Sequence, residues 1–97
     1  MATYIALMNY TDQGIRNVRE SPGRLDAARK RLSDLGGELK AVYLTMGGYD
    51  LVVICEAPSS EVMTQFALAT GSLGNVRTTT LTAFTEAEFR DIVAALP

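Results

Sequence analysis

Gly47-Gly48-Tyr49-Asp50 sets a phenol and a carboxylate directly behind two glycines and ahead of the largely apolar run Leu51-Val52-Val53-Ile54-Cys55. A carboxylate held in such a loop can orient a polar ligand or accept a proton, and a phenol beside it can donate a hydrogen bond. The same residues also have a purely architectural use. The glycines supply backbone angles for a short hairpin, Tyr49 packs its ring under the turn, and Asp50 accepts from loop N–H groups. Arg77 is a lone charge entering a Thr-rich segment, and its fork suits a carboxylate or phosphate. Tyr43, with Met8 and Met46, is of the right type to line an apolar pocket or to fill an ordinary core. The candidate ligand-binding residues are therefore Tyr43, Tyr49, Asp50 and Arg77, and no residue is assigned a catalytic role.

Several chemistries are argued against by what is missing. There is no histidine, so the usual near-neutral base and commonest metal ligand are lacking. Cys55 is the single cysteine, which rules out an internal disulfide and a Cys-rich zinc site, and it lies in an apolar run where a thiol behaves as a small hydrophobe. No metal and no cofactor is expected. No Gly-rich phosphate loop follows a strand into a helix, and no nucleophile elbow is present. The net charge of −2 argues against a general polyanion binder. Arg16, Arg19, Arg24, Arg29, Lys30 and Arg31 do cluster in one segment, and they are read as a solvated helix face, with a phosphate or nucleic-acid surface as the rival.

The elements that must carry these side chains can be read in order. The 97 residues form one domain, residues 1–97. A strand covers residues 3–10. Thr11–Asp12 offer a helix cap, and Ser21–Pro22 break that helix, with Ser21 capping the next one. Leu25, Ala28, Leu32 and Leu35 then make one apolar stripe, closed by Gly36–Gly37. Strands follow at about 39–46 and 50–57. Ser59 caps a helix whose stripe is Val62, Phe66, Ala69 and Leu73, and a fourth strand covers about 75–84. Thr85 to Glu88 is a capping box, and Phe89, Ile92, Val93 and Leu96 form the cleanest amphipathic pattern in the chain. The order β-α-β-β-α-β plus a terminal helix is an α+β, ferredoxin-like antiparallel sheet with two helices on one face.

Both faces of that sheet read as apolar. Ile5 and Leu7 alternate with Tyr4, Ala6 and Met8, while Val52 and Ile54 alternate with Leu51, Val53 and Cys55. Two helices cover one face, and a terminal helix of about eleven residues reaches only ~16 Å. A second copy packed sheet to sheet is the economical cover, so a homodimer or higher homo-oligomer is expected. Arg77 is placed at the end of the sheet opposite Asp50, with Glu56 as its local partner. The chain opens with no basic region followed by an apolar stretch, and no apolar run nears the ~20 residues that span a bilayer, so a cytoplasmic protein without membrane association is expected.

From Leu35 to Phe89 the chain resembles the GYD-domain family. The resemblance is carried by Leu35-Gly36-Gly37, Val42-Tyr43-Leu44-Thr45, Met46-Gly47-Gly48-Tyr49-Asp50, Glu56-Ala57-Pro58 and Gly74-Asn75-Val76-Arg77-Thr78-Thr79-Thr80-Leu81. It implies a small domain of the dimeric α/β-barrel superfamily and brings no catalytic residues. The reading is a homo-oligomeric protein that binds a small, largely apolar molecule or acts as an assembly module. The alternative is a cofactor-independent monooxygenase or isomerase-like enzyme acting on a small aromatic or carbonyl compound.

Overall fold

Alternating burial along the first strand organises the molecule: Tyr4, Ala6 and Met8 are buried while Ile5 and Leu7 between them are not. The computed structural model describes all 97 residues. Strand β1 (Ala2–Tyr10) is followed by the short helix α1 (Asp12–Arg16), a 3-10 turn (Val18–Glu20) and helix α2 (Ser21–Asp34). Then come β2 (Glu38–Leu44), β3 (Leu51–Ala57), α3 (Ser60–Ser72), β4 (Val76–Ala83) and α4 (Glu86–Ala94). The strands form one antiparallel sheet in the order β2-β3-β1-β4. This is the ferredoxin-like β-α-β-β-α-β arrangement that the element order predicts, with the extra helix at the end.

The core lies on one side of the sheet. Leu39, Val53, Cys55 and Ala57 join the buried residues of β1, and Leu32 from α2 and Met63 and Phe66 from α3 close over them. Leu32 and Phe66 are almost wholly buried, so truncating either to alanine leaves a cavity costing about 3 kcal/mol. The stripe positions Leu25, Ala28, Leu35 and Val62 pack against the same cluster.

Local chemistry explains most of the element ends. Thr11 caps α1 by accepting from Gly14 N–H at 3.1 Å, and Ser59 caps α3 by accepting from Val62 N–H at 3.2 Å. The capping box of α4 is complete: Glu88 N–H donates to Thr85 Oγ1 at 3.2 Å and Thr85 N–H to Glu88 Oε1 at 2.9 Å. The Thr85 backbone N–H above all, with the Thr85 side chain second, holds the Glu88 carboxyl below its ordinary pKa. Ser21 is a correction. Its backbone is already helical (φ −56°, ψ −43°), because the 3-10 turn runs straight into α2, and a capping residue needs extended geometry. Ser21 instead shares a 2.8 Å hydrogen bond with the Tyr10 hydroxyl. In β2 the pairing with β3 skips Lys40, a bulge whose ammonium reaches Glu38 at 3.5 Å and Glu56 at 3.3 Å.

Cys55 is fully buried, and burial pushes its thiol up to about 11 from 9.0. A folded-state pKa above the unfolded one makes the contribution complete below pH 9 and lost as pH rises through 11. Denaturation midpoints of the wild type are therefore expected to fall between pH 9 and 11 more steeply than those of Cys55→Ala. Iodoacetamide at neutral pH should label Cys55 only once the chain unfolds.

Candidate functional site

The loop joining β2 to β3 is tied to itself and to the end of β1. Thr45 N–H donates to the Asp50 carbonyl at 2.8 Å, and Asp50 N–H donates to the Met8 carbonyl at 2.9 Å. Thr45 Oγ1 adds a 2.6 Å bond to the Tyr49 carbonyl. Gly47 adopts φ 112°, a left-handed angle that a side chain resists. The Asp50 carboxylate accepts from Tyr10 N–H at 2.9 Å, just beyond the last β1–β3 pair, Met8 with Leu51. Its role here is that of an anchor. Tyr49 is 37% exposed and its hydroxyl makes no hydrogen bond within the subunit.

Arg77 lies elsewhere than its sequence position suggests. It pairs with Asn9, whereas Leu51, next to Asp50, pairs with Met8. Strands β3 and β4 both run antiparallel to β1, so their starts lie at the same end of the sheet. Asp50 and Arg77 therefore share that end, with β1 between them, and Glu56 lies at the other end, opposite Thr3. The expected Arg77–Glu56 pair does not form; Glu56 is engaged by Lys40. Tyr43 is 60% exposed and pairs with Val52. The four candidates do not converge on one pocket.

What the structure does assemble is a surface. On the side of the sheet away from α2 and α3, two rows cross all four strands. One is Ala41–Ile54–Ile5–Leu81 and the other is Tyr43–Val52–Leu7–Thr79. Glu38, Lys40 and Glu56 edge this apolar centre at one end, and Asn9 and Arg77 edge it at the other. Apolar centre and polar rim are the anatomy of a protein interface. Helix α4 does not roof it. Every residue from Phe84 to Pro97 is exposed, including Phe89, Ile92, Val93 and Leu96 of the amphipathic stripe.

Other features of the surface are plainer. Arg24, Arg29 and Lys30 of the basic segment pair with Glu20, Asp26 and Asp34 at 3.8, 3.7 and 2.9 Å. No group of three or more His, Cys, Asp or Glu is placed to hold a metal ion, and no helix is long and apolar enough to cross a membrane. A cavity on the covered side, between α2, α3 and the sheet, contains none of the four candidates. Two of its lining residues, Arg31 and Thr70, have buried polar atoms without partners. Sequence reasoning missed both. The available signal was spacing, since Arg31 follows Ala28 by three and Thr70 follows Phe66 by four, which sets each beside a member of its helix's apolar stripe.

Comparison with known proteins adds four findings. The GYD domain model matches residues 4–93. A Thermus thermophilus relative, the glutamine synthetase and cystathionine beta-lyase binding protein, is 33% identical over 97 residues, with 99% of each chain covered. Among solved structures, TTHA0845 from Thermus thermophilus aligns with a TM-score of 0.57 at 26% identity, over 88% of this chain and 95% of that one. MtbAldR gives a TM-score of 0.68 at 15% identity, over 88% of this chain and 52% of its own length, a likeness of fold.

The anchoring role of Asp50 has a measurable consequence. Asp50→Ala strands the Tyr10 N–H and is expected to lower unfolding free energy by about 2 kcal/mol in urea titrations. Asp50→Asn keeps an acceptor and should cost less than half of that.

Proposed function

This chain belongs to the GYD domain family, and from that premise we propose that it is a protein-binding assembly module that works as a homodimer. The observation that carries the reading is the pair of apolar rows across the open face of the sheet, which nothing in the subunit covers. A twofold pairing buries that face against its own copy and is the commonest form of association. At ~25 cal/mol per Å2, several hundred Å2 of apolar burial supplies several kcal/mol before the costs of association. Arg77 is unpaired within the subunit and stands at the rim, where a charge serves register and specificity more than affinity.

Helix α4 supports the second half of the proposal. Nine residues are too few for a helix to persist in water on its own, even with a complete capping box. Its apolar stripe therefore calls for an occupant, and an amphipathic helix laid into a groove is a recurrent mode of recognition. The relative that spans the same length is named for binding glutamine synthetase and cystathionine beta-lyase. By that likeness, the partner proposed for α4 is an enzyme of amino-acid metabolism, with glutamine synthetase as the first to test. Of the two carboxylates a catalytic reading could use as a base, Asp50 accepts from the backbone of β1 and Glu56 is paired with Lys40.

The wild-type chain is expected to sediment as a dimer at micromolar concentration. Ile5→Asp or Ile54→Asp should sediment as a monomer with helix content retained; a wild-type monomer would overturn the reading. Phe89→Ser with Ile92→Ser should stay dimeric and lose at least tenfold in affinity for glutamine synthetase by calorimetry. Loss of the dimer in that variant would assign α4 to the subunit interface instead.

A further inference from the structure

The cavity on the covered side of the sheet has a volume of about 70 Å3, several times the ~10–15 Å3 that one water needs. Its walls are mainly Leu25, Ala28, Leu39, Val53 and Phe66. Tyr10, Ser21, Arg24 and Asn75 also reach the lining but have hydrogen-bond partners elsewhere, and two further polar groups lack one. The Thr70 hydroxyl is buried on a residue only 9% exposed, and it does not bond back to its own helix. The Nε of Arg31 is likewise buried without a partner. The guanidinium lies 6.0 Å from the Phe66 ring centroid, and no carboxylate stands within ion-pair distance of it. The other arginine at the cavity, Arg24, is engaged, by the carbonyls of Asn17 at 3.0 Å and Gly14 at 3.4 Å and by Glu20 at 3.8 Å.

Buried polar groups are rarely left unpaired, and an unpaired buried donor costs more than a hydrogen bond returns. Water satisfies this site poorly. It needs two to four polar partners, whereas most of the space is faced by hydrocarbon. The matching occupant has an acceptor-only head for two donors, negative charge for the unpaired guanidinium, and an apolar tail. We infer that this cavity is a binding site for a small aliphatic carboxylate of roughly half a dozen heavy atoms, held by Arg31 and Thr70. Arg31 donates through Nε and Thr70 through its hydroxyl to the carboxylate oxygens, while the tail lies against Leu25, Ala28 and Phe66. The inference is independent of the dimer, because none of these residues lies on the open face.

The test is a titration of the full-length chain with butyrate and isovalerate, followed by amide NMR, with isovaleramide as the uncharged control. Saturable shifts centred on Leu25, Phe66 and Thr70, with a dissociation constant in the millimolar range or tighter, are expected. Isovaleramide should bind at least tenfold more weakly. Arg31→Met should weaken isovalerate at least tenfold, and Thr70→Val should weaken it severalfold. Thr70→Val should also leave the thermal midpoint of the ligand-free protein unchanged or raise it, because it removes an unpaired hydroxyl. Ala28→Leu, which fills the space, should abolish the shifts; if it fails to fold, the other two variants decide the question. No saturation by either acid, equal binding of the amide, shifts confined to the open face, or full affinity in Arg31→Met would overturn the inference.

Discussion

A sheet that is apolar on both sides, with helices to cover only one, is the constraint from which the rest of this molecule follows. Period-two alternation sends Tyr4, Ala6 and Met8 to the helices and leaves Ile5 and Leu7 on the other side. The same division runs through β3, where Val53 and Cys55 are buried and Val52 and Ile54 are not. Hydrophobic burial is the main force available to a chain of this size, and half of its sheet cannot use it within one subunit. The open apolar face is thus written into the strand pattern and does not depend on any single motif.

The end of the sheet where β1 finishes is held by polar contacts in place of a core. Tyr10 gives its N–H to Asp50 and shares its hydroxyl with Ser21. Thr11 N–H reaches the Asn75 carbonyl at 3.0 Å, and Gln13 bonds Asn75 and Leu73. Gly14 is buried against Asn75, where an added Cβ would meet backbone oxygen at 1.9 Å. This junction fixes the starts of α2 and β4 over the same patch of sheet. With a residue as small as Ala28 facing that patch, an interior space persists there.

Much of the fold was legible because its signals are local and redundant. The α4 capping box, the stripe of α2 and the two-sided strands each follow from spacing alone, and each stands in the structure as read. The α3 stripe holds at Val62 and Phe66 but is turned, with Met63 and Thr70 buried and Leu73 54% exposed. The site was less legible, for reasons that particular residues make clear. Asp50 looks chemical in sequence because a carboxylate beside a phenol is a familiar pairing, yet its partner is a backbone N–H forty residues away. Arg77 reads as remote from Asp50, yet β3 and β4 run in the same direction and bring both residues to one end of the sheet. Ser21 before Pro22 has the signature of a cap, and nothing in Val18-Arg19-Glu20 announces the 3-10 turn that makes Ser21 helical instead. Arg31 and Thr70 were hidden by residue type, since arginine on a charged helix and threonine near a helix end are usually solvated.

The bulge at Lys40 bears on how copies of this chain can meet. Strands β2 and β4 are the two margins of the sheet. On β2 the extra residue interrupts the ladder and brings an ammonium between two carboxylates, which makes that margin a poor template for lateral addition. The β4 margin carries no such interruption. A filament growing strand by strand needs two competent margins per unit, and this unit has one. Edge contact alone can therefore join no more than two units, which closes the lateral route to an open filament.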